Sequence, residues 1–221
     1  MSMSVKVKKP GSEPTKIYTV EKIDKLPRKT LYMIEKRLFD IVIALAAIIV
    51  LLIPMLVISI MIVIDSPGNP IYSQVRLGLN EKAFVLYKFR SMRMDAEKHG
   101  IQWAETDDPR VTKLGRILRD YRLDELPQLW NILKGDMSFV GPRPERPEYY
   151  DLFDTYIVGF RQRMMVMPGL TGHAQINGGY NLLPEEKIIY DIEYIKKQSM
   201  KFDFKCIIGT VKTVLKREGA H

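Results

Sequence analysis

Asp124 and Glu125 stand side by side in the stretch Arg119-Asp-Tyr-Arg-Leu-Asp-Glu-Leu-Pro-Gln-Leu-Trp-Asn131, and Lys134-Gly-Asp-Met-Ser-Phe-Val-Gly-Pro-Arg-Pro144 follows at once. Adjacent carboxylates among fixed cations, beside a rigid Pro-Arg-Pro corner, suit chemistry on a phosphate ester. One carboxylate can attack phosphorus while its neighbour holds a magnesium ion, provided that cations offset the repulsion between anionic nucleophile and anionic substrate. The plain alternative for the pair is a helix cap plus a surface acid.

The elements that must position this pair are legible nearby. Val111, Leu114, Ile117, Leu118 and Tyr121 recur at helical spacing, while Arg110, Lys113, Arg116, Arg119 and Arg122 follow a three-residue step on another face. That cationic ridge leads straight into Asp124. Asp124 itself reads as the N-cap of a following helix, with Pro127 in its first turn and Leu126, Leu129, Trp130 and Leu133 as its buried side. A helix start there adds positive potential beside a phosphate. Upstream, Ile71–Gln74 and Ala83–Tyr87 alternate like short strands around the turn residues Gly78, Asn80 and Glu81, so a small hairpin is expected. Near the C-terminus, Phe202, Phe204, Ile207, Ile208, Val211, Val214 and Leu215 form an apolar stripe flanked by lysines, suited either to a membrane interface or to the domain core.

From Ile41 to Ile64 the chain runs 24 residues without a charge. As one straight helix this stretch would measure about 36 Å, against a hydrocarbon core of about 30 Å. Pro54 divides it into pieces of 13 and 11 residues, each too short to cross alone. The first 40 residues carry ten Lys/Arg against five Asp/Glu, most of the net +8, and a basic flank stays cytoplasmic. If the downstream domain is cytoplasmic too, the segment is a re-entrant hairpin bent at Pro54; the alternative is a kinked transmembrane helix. A basic block beside an apolar segment suits anionic lipid headgroups rather than nucleic acid.

Across 221 residues there is room for one compact domain and an appendage. The expected organisation is a basic, poorly ordered arm over 1–30, an interfacial helix around Leu31–Phe39 leading into the re-entrant segment (31–67, break at Pro54), and a cytoplasmic catalytic domain over 68–221. The expected fold class is α+β, mainly α, with the small hairpin and interfacial amphipathic helices. Cys206 is the single cysteine, so no internal disulfide forms, and His99, His173 and His221 lack zinc spacing.

Seven motifs in order then carry a resemblance: Lys36-Arg-Leu-Phe-Asp40, Gln74-Val-Arg-Leu-Gly78, Tyr87-Lys-Phe-Arg-Ser-Met92, Val111-Thr-Lys-Leu-Gly115, Leu123-Asp-Glu-Leu-Pro-Gln-Leu129, Gly135-Asp-Met-Ser-Phe-Val-Gly-Pro-Arg-Pro144 and Pro168-Gly-Leu-Thr-Gly-His-Ala-Gln175. The chain resembles, over roughly residues 34 to 218, the bacterial sugar transferase family, the monotopic phosphoglycosyl transferases. The resemblance implies transfer of a sugar 1-phosphate from a UDP-sugar to undecaprenyl phosphate, a polyprenyl phosphate, with release of UMP. The place implied is the cytoplasmic face of the bacterial inner (plasma) membrane, as the first membrane step of a polysaccharide or glycoconjugate pathway. It implies Asp124 as nucleophile, Glu125 as ligand to Mg2+, Arg119 on a phosphate and Arg143 on the nucleotide portion, with Lys88 and Arg90 in a phosphate-binding wall. Partners implied are the UDP-sugar, the polyprenyl phosphate and membrane lipids, with no nucleic acid; a homo-oligomer is compatible with this.

Two departures stand out. Ile53 occupies a position before the membrane proline where relatives often carry Ser, whose hydroxyl can bond a backbone carbonyl. Gly179-Tyr-Asn181 follows Asn177-Gly178 where many carry Arg, so no role passes to that position. Two other classes compete. A metal-dependent glycosyltransferase would show an Asp-X-Asp pair, which the chain lacks. A non-enzymatic basic membrane adaptor is the remaining alternative.

Overall fold

A computed structural model describes residues 16–26, 29–98, 100, 108–179 and 182–216. The described chain is mainly helical, with three separate two-stranded sheets, in keeping with an α+β, mainly α, fold. His99, His221 and the Tyr180-Asn181 departure lie outside the described residues, as do 1–15, 27 and 28 of the expected arm.

Helix α1 (Thr30–Asp65) is one unbroken element that joins the interfacial helix and both halves of the apolar stretch, with Pro54 inside it. The expected break at Pro54 is therefore not a break in helical structure. A proline forfeits one ladder hydrogen bond, and here helical pairing resumes around it. Ser59 Oγ, one turn further on, donates to the Met55 carbonyl at 2.8 Å. Among the described helices α1 alone is long and apolar enough to cross a membrane.

One stripe of α1 lies against the domain from end to end. Ala44, Ala47, Ile48 and Leu51 meet Phe84, Leu86, Leu129, Ile132 and Met137. Further along, Met55, Ile58 and Ile62 meet Phe89 and Leu118. These positions recur every three to four residues, the spacing of one helix face. The opposite face, including Leu45, Ile49, Leu52, Ile53, Leu56, Ile60 and Ile64, is exposed.

The hairpin of β2 (Ile71–Leu77) and β3 (Ala83–Phe89) is present and longer than expected, in antiparallel register from Ile71 opposite Phe89 to Leu77 opposite Ala83. Its turn, Leu79–Glu81, places Asn80 and Glu81 at positive φ, a conformation that Asn tolerates better than most residues. Helix α2 (Lys113–Asp120) begins at Thr112, whose hydroxyl accepts the Gly115 N–H at 2.9 Å. A Cβ at Gly115 would sit 1.9 Å from the Ser91 carbonyl oxygen, so glycine is what lets α2 close on the end of the hairpin.

Helix α3 (Gln128–Lys134) turns Leu129 and Ile132 inward and leaves Trp130 exposed, a correction to its expected buried side. Strand β4 (Ser138–Val140) pairs in parallel with β6 (Gly169–Thr171). The main core gathers α4 (Pro147–Asp154), α6 (Pro184–Lys197) and α7 (Met200–Lys216) around Tyr150, Phe153, Phe160, Ile188, Ile192 and Ile195. Part of the expected arm docks here: β1 (Tyr18–Thr19) pairs in parallel with β5 (Ile157–Val158), and Val20, Ile23 and Leu26 pack on this core. On α7, Phe202 and Ile207 pack on the same core, whereas Phe204, Ile208, Val211 and Leu215 are exposed, so the stripe serves two surfaces.

Candidate active site

Asp124 is not a helix cap. It lies within a 3-10 turn, Leu123–Glu125, entered from Arg122 in the left-handed conformation, and the N-cap of α3 is Pro127, which makes no side-chain cap. The backbone closes this turn with its own i to i+3 bonds, such as Glu125 N–H to the Arg122 carbonyl at 3.2 Å. The Asp124 carboxylate is thereby left unused. It lines a cavity of about 500 Å³, is only 7% exposed, and takes no hydrogen bond from the described residues.

Glu125 is held instead. Arg143 reaches both carboxylate oxygens, Nη2 on Oε1 and Nη1 on Oε2 at 3.4 Å, and Lys88 Nζ donates to Oε1 at 3.3 Å. The two carboxylates consequently differ in acidity. Burial pushes the Asp124 carboxyl upward, against the nearby Lys88 charge and with the Glu125 charge adding to the rise. Burial pushes Glu125 the same way, but Arg143 and Lys88 outweigh it and hold Glu125 well below the usual carboxylate range.

Of the cations expected here, Arg119, Lys88 and Arg143 line the cavity beside Asp124. Arg119 is set by α2, with its Nε donating to Ser91 Oγ at 2.8 Å. Arg90 also borders the cavity, and two of its nitrogens reach the end of α1: Nη1 donates to the Pro67 carbonyl at 3.2 Å and Nη2 to that of Ser66. Its Nε is buried without a partner among the described residues. Of the ridge, Arg110, Arg119 and Arg122 reach the cavity, whereas Lys113 and Arg116 are exposed and form no part of its lining.

The Pro-Arg-Pro corner is fixed through its carbonyls. Gly169 N–H donates to Pro142 at 2.9 Å, Arg163 Nη2 to Arg143 at 3.0 Å, and Arg76 Nη1 to Pro144 at 3.1 Å. Prolines offer no N–H for a ladder, so donors from three other elements take that role. Arg163 is in turn paired with Asp191 on α6 at 2.6 Å, deep in the protein. Sequence reasoning missed Arg76, Arg146, Arg163 and Lys187, all on the cavity wall. Arg146 was within reach, two residues past the corner; Arg163 and Lys187 carry no local signal and arrive only through the tertiary fold.

This arrangement presents a free, buried carboxylate among guanidinium and ammonium groups in a 3-10 turn ahead of α3. Residues 31–217 match the model of the Bacterial sugar transferase family, and the chain belongs to that family. It is 41% identical over 194 residues, 86% of this chain and 46% of the relative, to the UDP-N-acetylgalactosamine-undecaprenyl-phosphate N-acetylgalactosaminephosphotransferase of Aeromonas hydrophila. It is 38% identical over 201 residues, 88% of this chain and 41% of the relative, to the UDP-glucose:undecaprenyl-phosphate glucose-1-phosphate transferase of Xanthomonas campestris pv. campestris. A protein of the same name from Caulobacter vibrioides is 36% identical over 213 residues, 94% of this chain and 79% of the relative. The chain thus spans less than half the length of the first two.

Proposed function

We propose that the protein transfers a sugar 1-phosphate from a UDP-sugar to a polyprenyl phosphate, undecaprenyl phosphate, in two displacements through Asp124. In the first, a carboxylate oxygen of Asp124 attacks the phosphorus that bears the sugar; the bond from that phosphorus to the oxygen bridging to UMP breaks, and UMP leaves. In the second, an oxygen of the lipid phosphate attacks the same phosphorus and the Asp124 carboxylate departs, leaving a lipid diphosphosugar. Splitting the transfer means that the soluble donor and the lipid acceptor need not share the site. The observation that carries this reading is the Asp124 carboxylate itself, buried on the cavity wall, without a hydrogen bond from the described residues, beside a Glu125 already fixed by Arg143.

The donor set suits a magnesium ion. Mg2+ is ordinarily held by one or two carboxylates, with substrate phosphates and water completing the shell, and Glu125 stands next to Asp124, which lines the cavity. Glu125 would hold it, and when bound it would neutralise charge on the phosphoryl oxygens. The chain's own part is to fix Glu125 with Arg143 and Lys88, and to meet the phosphates with Arg119 and Arg122.

In this reading α1 is re-entrant and the domain sits on the cytoplasmic face of the bacterial inner membrane, at the first membrane step of a polysaccharide or glycoconjugate pathway. What supports it is that both ends of the apolar stretch lean on one domain, Ala44 on the α3 side and Ile62 on the α2 side. A helix crossing upright would carry the faces it packs against into the hydrocarbon. The exposed residues of α1 and of α7 supply apolar surface for lipid.

Purified protein with Mg2+, undecaprenyl phosphate and a panel of UDP-sugars should release UMP with at least one donor. Asp124→Asn should reduce that release on the order of 10⁴-fold with the fold intact. Donor alone should add one sugar phosphate to the intact wild-type mass and nothing to the variant; full activity in Asp124→Asn refutes the nucleophile.

A further inference from the structure

Gln175 stands in the short helix α5 (His173–Ile176) on the cavity wall, and its carboxamide is an anomaly. Both Nε2 and Oε1 are shut away from solvent, and neither has a hydrogen-bond partner among the described residues. A buried amide normally finds partners, and one left without them at both ends is costly. The chain nevertheless makes a niche for it. A Cβ at Gly172 would lie 2.8 Å from Gln175 Oε1, so the amide occupies room that a glycine vacates. Ala174 and Gly179, also small, line the cavity too. Gln128 shares the unpartnered amide but forms no part of this cavity's lining.

The chemistry of the wall narrows what Gln175 can meet. Arg76, Lys88, Arg119, Arg122 and Arg143 offer charge to phosphate oxygens, which accept but do not donate. A carboxamide adds no charge and presents a donor and an acceptor side by side, matching another edge with the same pair reversed. Meeting a ligand in the cavity requires rotation about its side-chain bonds, which pass between staggered wells.

We propose that the Gln175 carboxamide reads a neutral donor-acceptor edge, an amide or imide, on the donor substrate. Resting on the phosphosugar-transfer reading, the uracil imide carries this edge, while a sugar acetamido group, a trans amide whose N–H and C=O point to opposite sides, offers the carboxamide one of the two. Gln175 is then a specificity residue in contact with substrate.

The test is direct binding by calorimetry of UMP, and of a UDP-sugar pair differing only in acetamido against hydroxyl, to the full chain in detergent. Gln175→Leu should weaken binding about 10- to 100-fold, the effect of leaving a hydrogen-bonding edge unpaired. A loss shared by UMP and both UDP-sugars assigns the uracil; a loss confined to the acetamido sugar assigns the acetamido group. Gln175→Met, which keeps the length and adds no charge but removes both donor and acceptor, should act in the same direction and serves if the leucine variant fails to fold. Affinities within about twofold of wild type for every ligand, as expected if ordered water alone satisfies the amide, overturn the proposal. Nucleotide binding without UMP release defeats the transferase reading while leaving the contact measurable. Failure of wild type to bind any uridine nucleotide defeats both.

Discussion

Asp40, at the head of the apolar stretch, accepts the backbone N–H of Phe139 at 3.0 Å, three residues before the Pro-Arg-Pro corner. The same oxygen accepts the Ser138 hydroxyl at 3.1 Å. One turn earlier Arg37 donates to the carbonyls of Ile132 and Leu133 at 2.7 and 2.8 Å, satisfying the end of α3, and Lys36 pairs with Asp203 of α7 at 2.8 Å. The Lys36-Arg-Leu-Phe-Asp40 motif is therefore a joint between the membrane helix and the elements that carry the site.

Asp40→Ala would leave a buried N–H without its acceptor. The expected loss of stability is about 1–3 kcal/mol, the cost of an unsatisfied buried group. Thermal unfolding in detergent measures it, and Asp40→Asn, which keeps one acceptor oxygen, should recover part of the loss. An unchanged melting temperature in Asp40→Ala would show that the joint carries no load.

The acidity of Asp124 gives a pH test. Burial raises its carboxyl above the ordinary value and Lys88 is the largest opposing charge, with Glu125 adding to the rise. A group with a raised folded-state pKa is protonated as pH falls through that value, so formation of the phosphosugar adduct should decline on the acid side. Lys88→Met should move the inflection to higher pH, and Glu125→Gln to lower pH. Adduct yield by mass spectrometry against pH in the three proteins checks both directions, and inflections that coincide would detach Asp124 from this electrostatic frame.

What could be read along the chain was local and what could not was tertiary. The hairpin, α2 and the acidic pair follow from alternation, helical spacing and composition over a few residues. The role of Asp124 as a cap was misread because Arg122 takes a left-handed conformation, and an i to i+3 turn then replaces the helix start. Trp130 was misplaced because a seven-residue helix has too few turns for its apolar positions to define a face. Pro54 suggested an interruption that α1 passes through. Arg90 illustrates the limit: its neighbours in sequence give no sign that two of its nitrogens reach the carbonyls of Ser66 and Pro67 at the end of α1.

The buried pair of Arg163 and Asp191 supports the corner from behind, since Arg163 also holds the Arg143 carbonyl. Asp191→Asn would strand a guanidinium that is almost wholly inaccessible. The expected cost is about 3–5 kcal/mol, as for other broken buried pairs. Because the corner would loosen, donor binding should weaken along with the melting temperature. Asp191→Asn with wild-type stability would mean that the guanidinium finds another partner.

The topology of α1 can be tested because the protein's own thiol is silent. Cys206 is buried, and burial, with the Asp203 charge adding, pushes its thiol up to about 11. At pH 8 only about one molecule in a thousand would carry the thiolate, so a maleimide should label the folded wild type slowly and the unfolded chain readily. A single cysteine placed at Ser12 or at the exposed Lys82 then reports its own side of the membrane. In sealed vesicles with the cytoplasmic face inward, both reporters should resist an impermeant maleimide and both should react once the vesicles are opened. Reaction of Ser12→Cys alone in sealed vesicles would place the two ends of α1 on opposite sides, making the helix a span.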